Sequence, residues 1–181
     1  MDNSLDFHEL RRRAEHRARQ KSKDEEINLE DIYAEFREET GISEELSKMI
    51  QQLEIDAEIE HIQPRTYVCE AYQEALQIGR KVILVSDMYL DRNTIERMLS
   101  KCGIAGYDKL YLSSEIKKTK ARGSLFQEVI ADYPNATRDA VHIGDNKTAD
   151  ITNAKRAGLD LAAHREHALE EERGGGERVD L

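Results

Sequence analysis

The sequence has little cysteine and no long hydrophobic run. Its two cysteines, Cys69 and Cys102, lie in apolar helical patterns, which favours small buried hydrophobes in a reducing compartment over a disulfide or a metal pair. The longest apolar run is far too short to span a bilayer, and the charged N-terminus lacks the apolar core of a signal peptide. We therefore expect a cytoplasmic protein that does not insert into membranes.

An excess of positive charge is also missing. With 27 basic and 37 acidic residues, the formal net charge is -10, so nucleic acid and anionic membranes are not expected partners of the whole chain. The run Arg11-Arg12-Arg13 is a local exception, but Glu9 and Glu15 flank it. We interpret this run as a solvated helix face and not as a nucleic-acid contact.

Hydrophobic residues make up 39% of the 181 residues, which is enough to build one sizeable core. Before Gly79 these residues recur at helical spacing, with almost no strand signal. A cap at Asn28 and a stop at Thr40-Gly41 bound the clearest helix. The predicted helices run from about Leu5 to Lys21, from Asn28 to Thr40, from Ser43 through the apolar stripe Leu46, Met49, Ile50 and Leu53, and from Pro64 to Gly79.

After Gly79 the pattern alternates between strand and helix. This alternation predicts an α/β fold in which a Rossmann-like parallel sheet carries helices on both faces. Beyond His164 the glutamate- and glycine-rich sequence predicts a fraying helix and a flexible tail. The predicted strands are Val82–Val85, Lys109–Leu112, Ala140–Ile143 and an edge strand Leu159–Ala163, and the helices between them follow Asp91, carry Leu125 and Phe126, and cover Ala149–Ala157.

Polar residues follow two of the predicted strands. Ser86 follows the first strand, Asp145 follows the third, and Asp150 lies about one helical turn later. Because ligands of such sheets bind at the carboxyl ends of the strands, these residues are candidates for one shared site. The run Lys117–Lys120 precedes a helix whose dipole favours anions, which indicates a bound anion nearby. A hydroxyl, an ammonium and carboxylates able to hold Mg2+ could together stabilise a phosphoryl group.

Three segments, in this order, resemble the haloacid dehalogenase-like hydrolase family, whose members are mostly phosphatases. The run VILVS places Ser86 at the end of an apolar strand. The run KARGSLF makes Lys120 the best match to the family's lysine, with Lys117 and Lys118 as weaker rivals. The run VHIGDNKTAD supplies the final pair of acidic residues, Asp145 and Asp150.

The resemblance covers roughly residues 65–163, and the SDMYL wording looks most like a bacterial subgroup sometimes joined to glycosyltransferases. It implies a helical cap portion in residues 1–64, an α/β core in residues 65–165 and a flexible tail in residues 166–181.

The resemblance implies Mg2+-dependent hydrolysis of a phosphate monoester, with a phosphorylated small molecule as the partner. Ser86 and Lys120 would be the catalytic residues that hold phosphoryl oxygens, with Asp87 as a further substrate contact. Asp145 and Asp150 would bind Mg2+. Each assignment has a structural alternative: Ser86 or Asp87 as a turn cap, Asp145 as a helix cap, Lys120 as an exposed lysine, and Asp150 as a residue that only orients its neighbours.

The family's Asp-x-Asp motif is missing from the sequence. In family phosphatases its first Asp attacks phosphorus and its second acts as the general acid. The nearest acidic spacing, Asp56-Ala57-Glu58, lies in a helical pattern. The resemblance therefore implies that the chain begins after the nucleophile, with residues 5–62 in the family's helical cap, and we expect the isolated chain to be nearly inactive.

The missing strand would lie between the predicted strands Val82–Val85 and Ala140–Ile143, and would leave two buried edges without backbone partners. Either these strands pair directly, or a strand from another chain or an upstream segment fills the gap, or the chain is a fragment of a longer product. A second functional hypothesis is a non-catalytic module that binds a phosphorylated ligand or serves a larger glycosyltransferase-type protein. A third is a magnesium-independent interaction domain built on the charged first helices.

Overall fold

The computed structural model describes residues 6–161, which form two compact units, one ending at Thr119 and the other beginning at Lys120. The predicted tail at 166–181 lies outside the described residues, as do Leu5 and the last two residues of the predicted edge strand. Among the described helices, none is long and apolar enough to cross a membrane.

The first unit opens with four helices, as the apolar spacing predicted. Side-chain caps explain where two of them begin. Asn28 accepts a hydrogen bond from the backbone of Asp31 while the Asp31 carboxylate accepts one from the backbone of Asn28, and Ser43 accepts one from the backbone of Leu46. Gly41, at φ +70°, ends the second helix. The helices are α1 (Phe7–Lys21), α2 (Leu29–Thr40), α3 (Glu44–His61) and α4 (Thr66–Gln77).

The arginine run of α1 was expected to form a solvated helix face. Arg12 and Arg13 are exposed, as predicted, but the prediction is wrong for Arg11, which is 8% exposed. Ala14 and Ala18, on the inner side of α1, are buried. The Arg11 guanidinium donates two hydrogen bonds to the Glu54 carboxylate, at 2.7 and 2.9 Å. Tyr33 donates a third to Glu54 at 2.6 Å. One half-buried acid, Glu54, thus joins α1, α2 and α3.

Three of the four residues of the predicted apolar stripe of α3 are on the surface. Leu46, Met49 and Leu53 are 44%, 60% and 67% exposed, whereas Ile50 packs against the core. Between Leu53 and α1 lies a groove of about 600 Å³. α3 is therefore attached through Ile50 and the polar Glu54, while the rest of the stripe faces water.

The rest of the first unit is a strand–helix–strand segment. Strand β1 (Ile83–Ser86) pairs in parallel with β2 (Lys109–Leu112), so that Ser86 lies opposite Leu112. Helix α5 (Arg92–Lys101) connects them and is capped by Asp91, as predicted. The short helix α6 (Ser113–Ile116) follows β2. The core that these elements share with the N-terminal helices includes Ile32, Tyr33, Phe36, Leu90, Ile95, Met98, Leu110 and Leu112.

The second unit is smaller, and its strands β3 (Val141–His142) and β4 (Asp160–Leu161) pair in parallel. The predicted helix Ala149–Ala157 is present, but its first part differs in kind, because residues Lys147–Thr152 form a π-helix and only the following four residues form an α-helix. The core of the second unit contains Phe126, Ala136, Ala154 and Leu159. The α-helices of this unit are α7 (Ser124–Asp132), α8 (Ala136–Asp139) and α9 (Asn153–Arg156).

Parallel strands connected through helices confirm the predicted α/β class. The two ladders hold two strands each. The three alternatives for the missing central strand stay predictions. Cys69 and Cys102 are free thiols and are half-buried, less enclosed than the buried positions expected for them.

Candidate active site

The carboxylate of Asp150 is the centre of a polar cluster in the second unit. It is buried, and its Oδ1 accepts a hydrogen bond from the Lys120 ammonium at 2.6 Å. His142 Nε2 lies 3.3 Å from the same oxygen, and the backbone N–H of Asn146 donates to Oδ2 at 3.1 Å. The Lys120 ammonium is therefore paired with a carboxylate of the chain itself, and the bound anion expected near the lysine-rich segment stays a prediction.

Local sequence explains why Asp150 can reach this position. A Cβ on Gly144 would collide with Cβ and Cγ of Asp150, so only glycine fits beneath the carboxylate. Asn146 accepts hydrogen bonds from the backbone of Thr148 and Ala149, and thereby starts the turn that carries Asp150. Strand β3 supplies His142 from the other side. The glycine after the strand is thus a packing requirement of the acid that follows.

Hydrogen bonds keep Asp150 ionised. Burial alone would raise the pKa of its carboxyl group, but hydrogen bonds with His142 and Lys120, the Lys120 charge and the Asn146 backbone hold it well below its usual range. The His142 ring is fixed by an edge-on contact with Phe126, with 5.1 Å between ring centroids. The ion pair of Lys120 and Asp150 is shielded, since their side chains are 15% and 6% exposed.

Asn153 is a site residue that the sequence did not reveal. It is 5% exposed, and its side-chain amide donates to the carbonyl oxygens of Lys120 at 2.8 Å and Ala121 at 2.7 Å. The signal available in the sequence was its position three residues after Asp150. Its acceptors lie more than thirty residues earlier, so spacing alone could not identify them.

Asp145 is exposed and follows Gly144 directly. Within residues 6–161 no group of three or more His, Cys, Asp or Glu side chains is placed to hold a metal ion. Mg2+ is commonly held by one or two carboxylates together with water and substrate phosphate, so an accessible Asp145 fits such an ion. Asp150 is engaged by Lys120, and its role as a metal ligand stays a prediction.

The other predicted residues lie in the first unit. Ser86 is half-buried as the last residue of β1 instead of the residue after it. Asp91 caps α5, and the two roles considered for Asp87, a turn cap or a substrate contact, stay predictions. The backbone after Asp87 is held by Ser113, whose hydroxyl accepts a hydrogen bond from the Met88 N–H at 2.9 Å.

Lys117, one of the two weaker rivals of Lys120, ends α6 with left-handed backbone geometry, at φ +60°. Lys118 is half-buried in the same segment. Lys120 is the member of this run whose ammonium bonds to Asp150. The structure therefore connects Lys120, as the family pattern preferred, with the acidic segment after β3.

Parallel strands connected through helices, with a lysine–aspartate pair after β3, define an α/β protein. The chain belongs to the haloacid dehalogenase-like hydrolase family, whose profile matches residues 10–164. This match reaches well into the helical N-terminal region, beyond the predicted resemblance over roughly residues 65–163. No curated protein matches the sequence at a significant level.

A solved structure gives the same fold. The 2-haloacid dehalogenase of Pseudomonas syringae pv. Tomato DC3000 superimposes with a TM-score of 0.64 at 14% identity, over 88% of this chain and 69% of that one. An uncharacterised protein from Listeria monocytogenes serotype 4b is 26% identical, with a TM-score of 0.48. The alignment with the Listeria protein covers 54% of this chain and 58% of that chain.

Proposed function

We propose that the chain binds the phosphoryl group of a phosphorylated small molecule together with Mg2+, and that its ancestral activity is hydrolysis of a phosphate monoester. The observation that carries this proposal is the shielded ion pair of Lys120 and Asp150, 2.6 Å apart, with Asp150 in the segment that follows β3 and Gly144-Asp145. Family membership agrees with this assignment, since relatives generally use a divalent metal.

Each residue would have a separate task. Lys120 donates to phosphoryl oxygens and neutralises their charge. Asp150 holds the Lys120 ammonium in place, and Asp145 anchors the ion. Bound Mg2+ supplies further positive charge for the phosphoryl oxygens. The sequence pattern gives Ser86 the role of a hydroxyl donor to the same group, with Asp87 as a further substrate contact.

Hydrolysis needs an attacking group that this sequence does not contain. The 181 residues hold no Asp-x-Asp, and the strands described end without one. Binding without turnover is therefore the behaviour expected of this chain by itself. The alternative is a non-catalytic phospho-ligand-binding or accessory module of a larger glycosyltransferase-type protein, with a partner strand from another chain or an upstream segment.

Binding and turnover of simple phosphates test the proposal. Calorimetry with inorganic phosphate and Mg2+ should show binding that weakens about tenfold or more in Lys120→Ala, because a hydrogen bond to a charged group is lost. Lys155→Ala, which removes an exposed lysine of α9, is the matched control and should bind as the wild type does. Chelation of Mg2+ should also weaken binding.

Turnover of p-nitrophenyl phosphate with Mg2+ should stay at background for this chain. Turnover that Asp145→Asn abolishes would show that the chain is a complete enzyme and that the proposed incompleteness is wrong. Absence of phosphate binding by the wild type, with and without Mg2+, would remove the phosphoryl-binding proposal itself.

A further inference from the structure

Asn153 hydrogen-bonds to the main chain of Lys120, and Asp150 hydrogen-bonds to the side chain of the same lysine. The Asn153 amide has two donors, and both are used: one on the carbonyl of Lys120 and one on that of Ala121. The residue is 5% exposed, so water cannot readily replace these hydrogen bonds. Arg156 donates to its remaining oxygen at 3.4 Å. All these groups lie in the second unit.

The segment gripped by Asn153 is a turn that ends at Gly123. The Gly123 N–H donates to the same Lys120 carbonyl at 2.9 Å, and Gly123 has φ +82°. A Cβ on Gly123 would lie 3.7 Å from Cβ of Asn153, which is ordinary packing contact. The turn therefore rests on Asn153 through both hydrogen bonds and packing.

Asn153 and Asp150 together hold Lys120 at two points. Asp150 binds the ammonium and Asn153 binds the carbonyl of the same residue. A lysine side chain has four carbons and many rotamers, so a single contact at its end leaves its main chain free to move. Fixing both ends reduces the freedom that a ligand would otherwise have to remove, which is the principle of preorganisation.

We propose that Asn153 is a positioning residue, which presents the Lys120 ammonium to a phosphoryl group by fixing the main chain of Lys120. Asn153 itself does not touch the ligand. The phosphoryl part of this inference rests on the proposed function, whereas the positioning of Lys120 is a property of the free protein. The two can therefore fail separately.

The test removes the donors of Asn153 while keeping its shape. Asn153→Asp is isosteric and has no side-chain N–H, and Asn153→Ser retains one shorter donor as a milder variant should the first unfold. The control is Asn135→Ala, since Asn135 is exposed and its side chain makes no cap hydrogen bond. Circular dichroism establishes that each variant is folded.

Two measurements report on Lys120. In the first, the ammonium groups of ¹⁵N-lysine-labelled protein are observed by NMR, and the Lys120 signal is identified by its loss in Lys120→Arg. We expect this signal in the wild type, because its ion pair slows proton exchange. It should broaden or disappear in Asn153→Asp and persist in Asn135→Ala. In the second, the Kd for inorganic phosphate with Mg2+ should rise about tenfold in Asn153→Asp.

The outcomes separate the two ideas. Folded Asn153 variants that keep the Lys120 ammonium signal and the wild-type phosphate Kd would overturn the positioning role, even if their melting temperature falls. A wild type that shows the signal, loses it in Asn153→Asp and binds no phosphate would support positioning and refute the proposed function. A mere loss of stability would change neither the Lys120 signal nor the Kd of the folded protein.

Discussion

Gly144 shows how one small residue shapes the candidate site. The side chain of Asp150 occupies the place where a side chain of residue 144 would be. The sequence motif Gly-Asp predicted the acid after the glycine. Glycine is required at position 144 because of the second acid, Asp150, six residues later. The sequence alone does not show this, because the turn at Asn146 is what brings Asp150 back towards β3.

Gly144→Ala should destabilise the protein by about 2 kcal/mol, because its methyl group would overlap Asp150 and push the backbone apart. Gly79→Ala is the control, since Gly79 has φ +70° and open space around it, so its cost of about 1 kcal/mol arises from backbone conformation alone. Urea unfolding compares the two. Equal free energies of unfolding for both variants would show that Gly144 is not a packing requirement.

The ionised Asp150 carboxylate predicts a stability that depends on acid pH. Its pKa is lower in the folded than in the unfolded chain, so its stabilisation is fully present above the ordinary value of 3.8 and is lost as the pH falls below it. In Asp150→Asn the free energy of unfolding should be lower near pH 6 and should fall less between pH 5 and pH 2. Urea unfolding at several pH values measures this, and parallel curves for the two proteins would contradict it.

At the scale of elements, the sequence predicted correctly those helix and strand boundaries that depend on residues close together in the chain. The sequence predicted α2 from its cap at Asn28 to its end at Gly41, and β2 from Lys109 to Leu112, because the groups that define these boundaries are close in sequence. It failed for the turn at Lys147–Thr152, where small residues indicated an ordinary helix. There the backbone widens to a π-helical turn while Asp150 accepts the Asn146 N–H and faces Lys120.

Asn28→Ala should cost about 1 kcal/mol of stability, because the variant leaves a backbone N–H of α2 without its side-chain acceptor. Asn93→Ala is the control, since Asn93 lies exposed inside α5 and alanine favours helix there. Thermal unfolding followed by circular dichroism should therefore give a lower melting temperature for the first variant and an unchanged or higher one for the second. The reverse order would show that the capping box contributes nothing.

For the molecule as a whole, the features that the sequence did not predict are those that depend on contacts between residues far apart in the chain. Family and α/β class followed from motifs in order along the chain. The burial of Arg11 did not follow, because its partner Glu54 lies 43 residues away. The grip of Asn153 on Lys120 was missed for the same reason. Spacing within one helix identifies a face, but it does not identify the residue that covers this face.

Glu54→Gln should destabilise the first unit by about 2–4 kcal/mol, because it removes the carboxylate charge closest to the buried Arg11 guanidinium and leaves only the longer contact with Glu15, at 3.4 Å. The double variant Arg11→Met with Glu54→Gln should recover part of this loss, which a double-mutant cycle in urea measures. Glu44→Gln, in an exposed pair with Lys48, is the control and should change little. Additive effects of the two buried changes would mean that the ion pair contributes no coupling.

The water-facing leucines and methionine of α3 have a practical consequence for work with this protein. Environment-sensitive dyes such as anilinonaphthalene sulfonate bind clustered apolar surface, so the native protein should already fluoresce strongly with them at low temperature. A dye-based melting assay would then begin from a high baseline and would underestimate unfolding. Replacing Met49 with glutamine should lower this native fluorescence while leaving the circular dichroism spectrum intact.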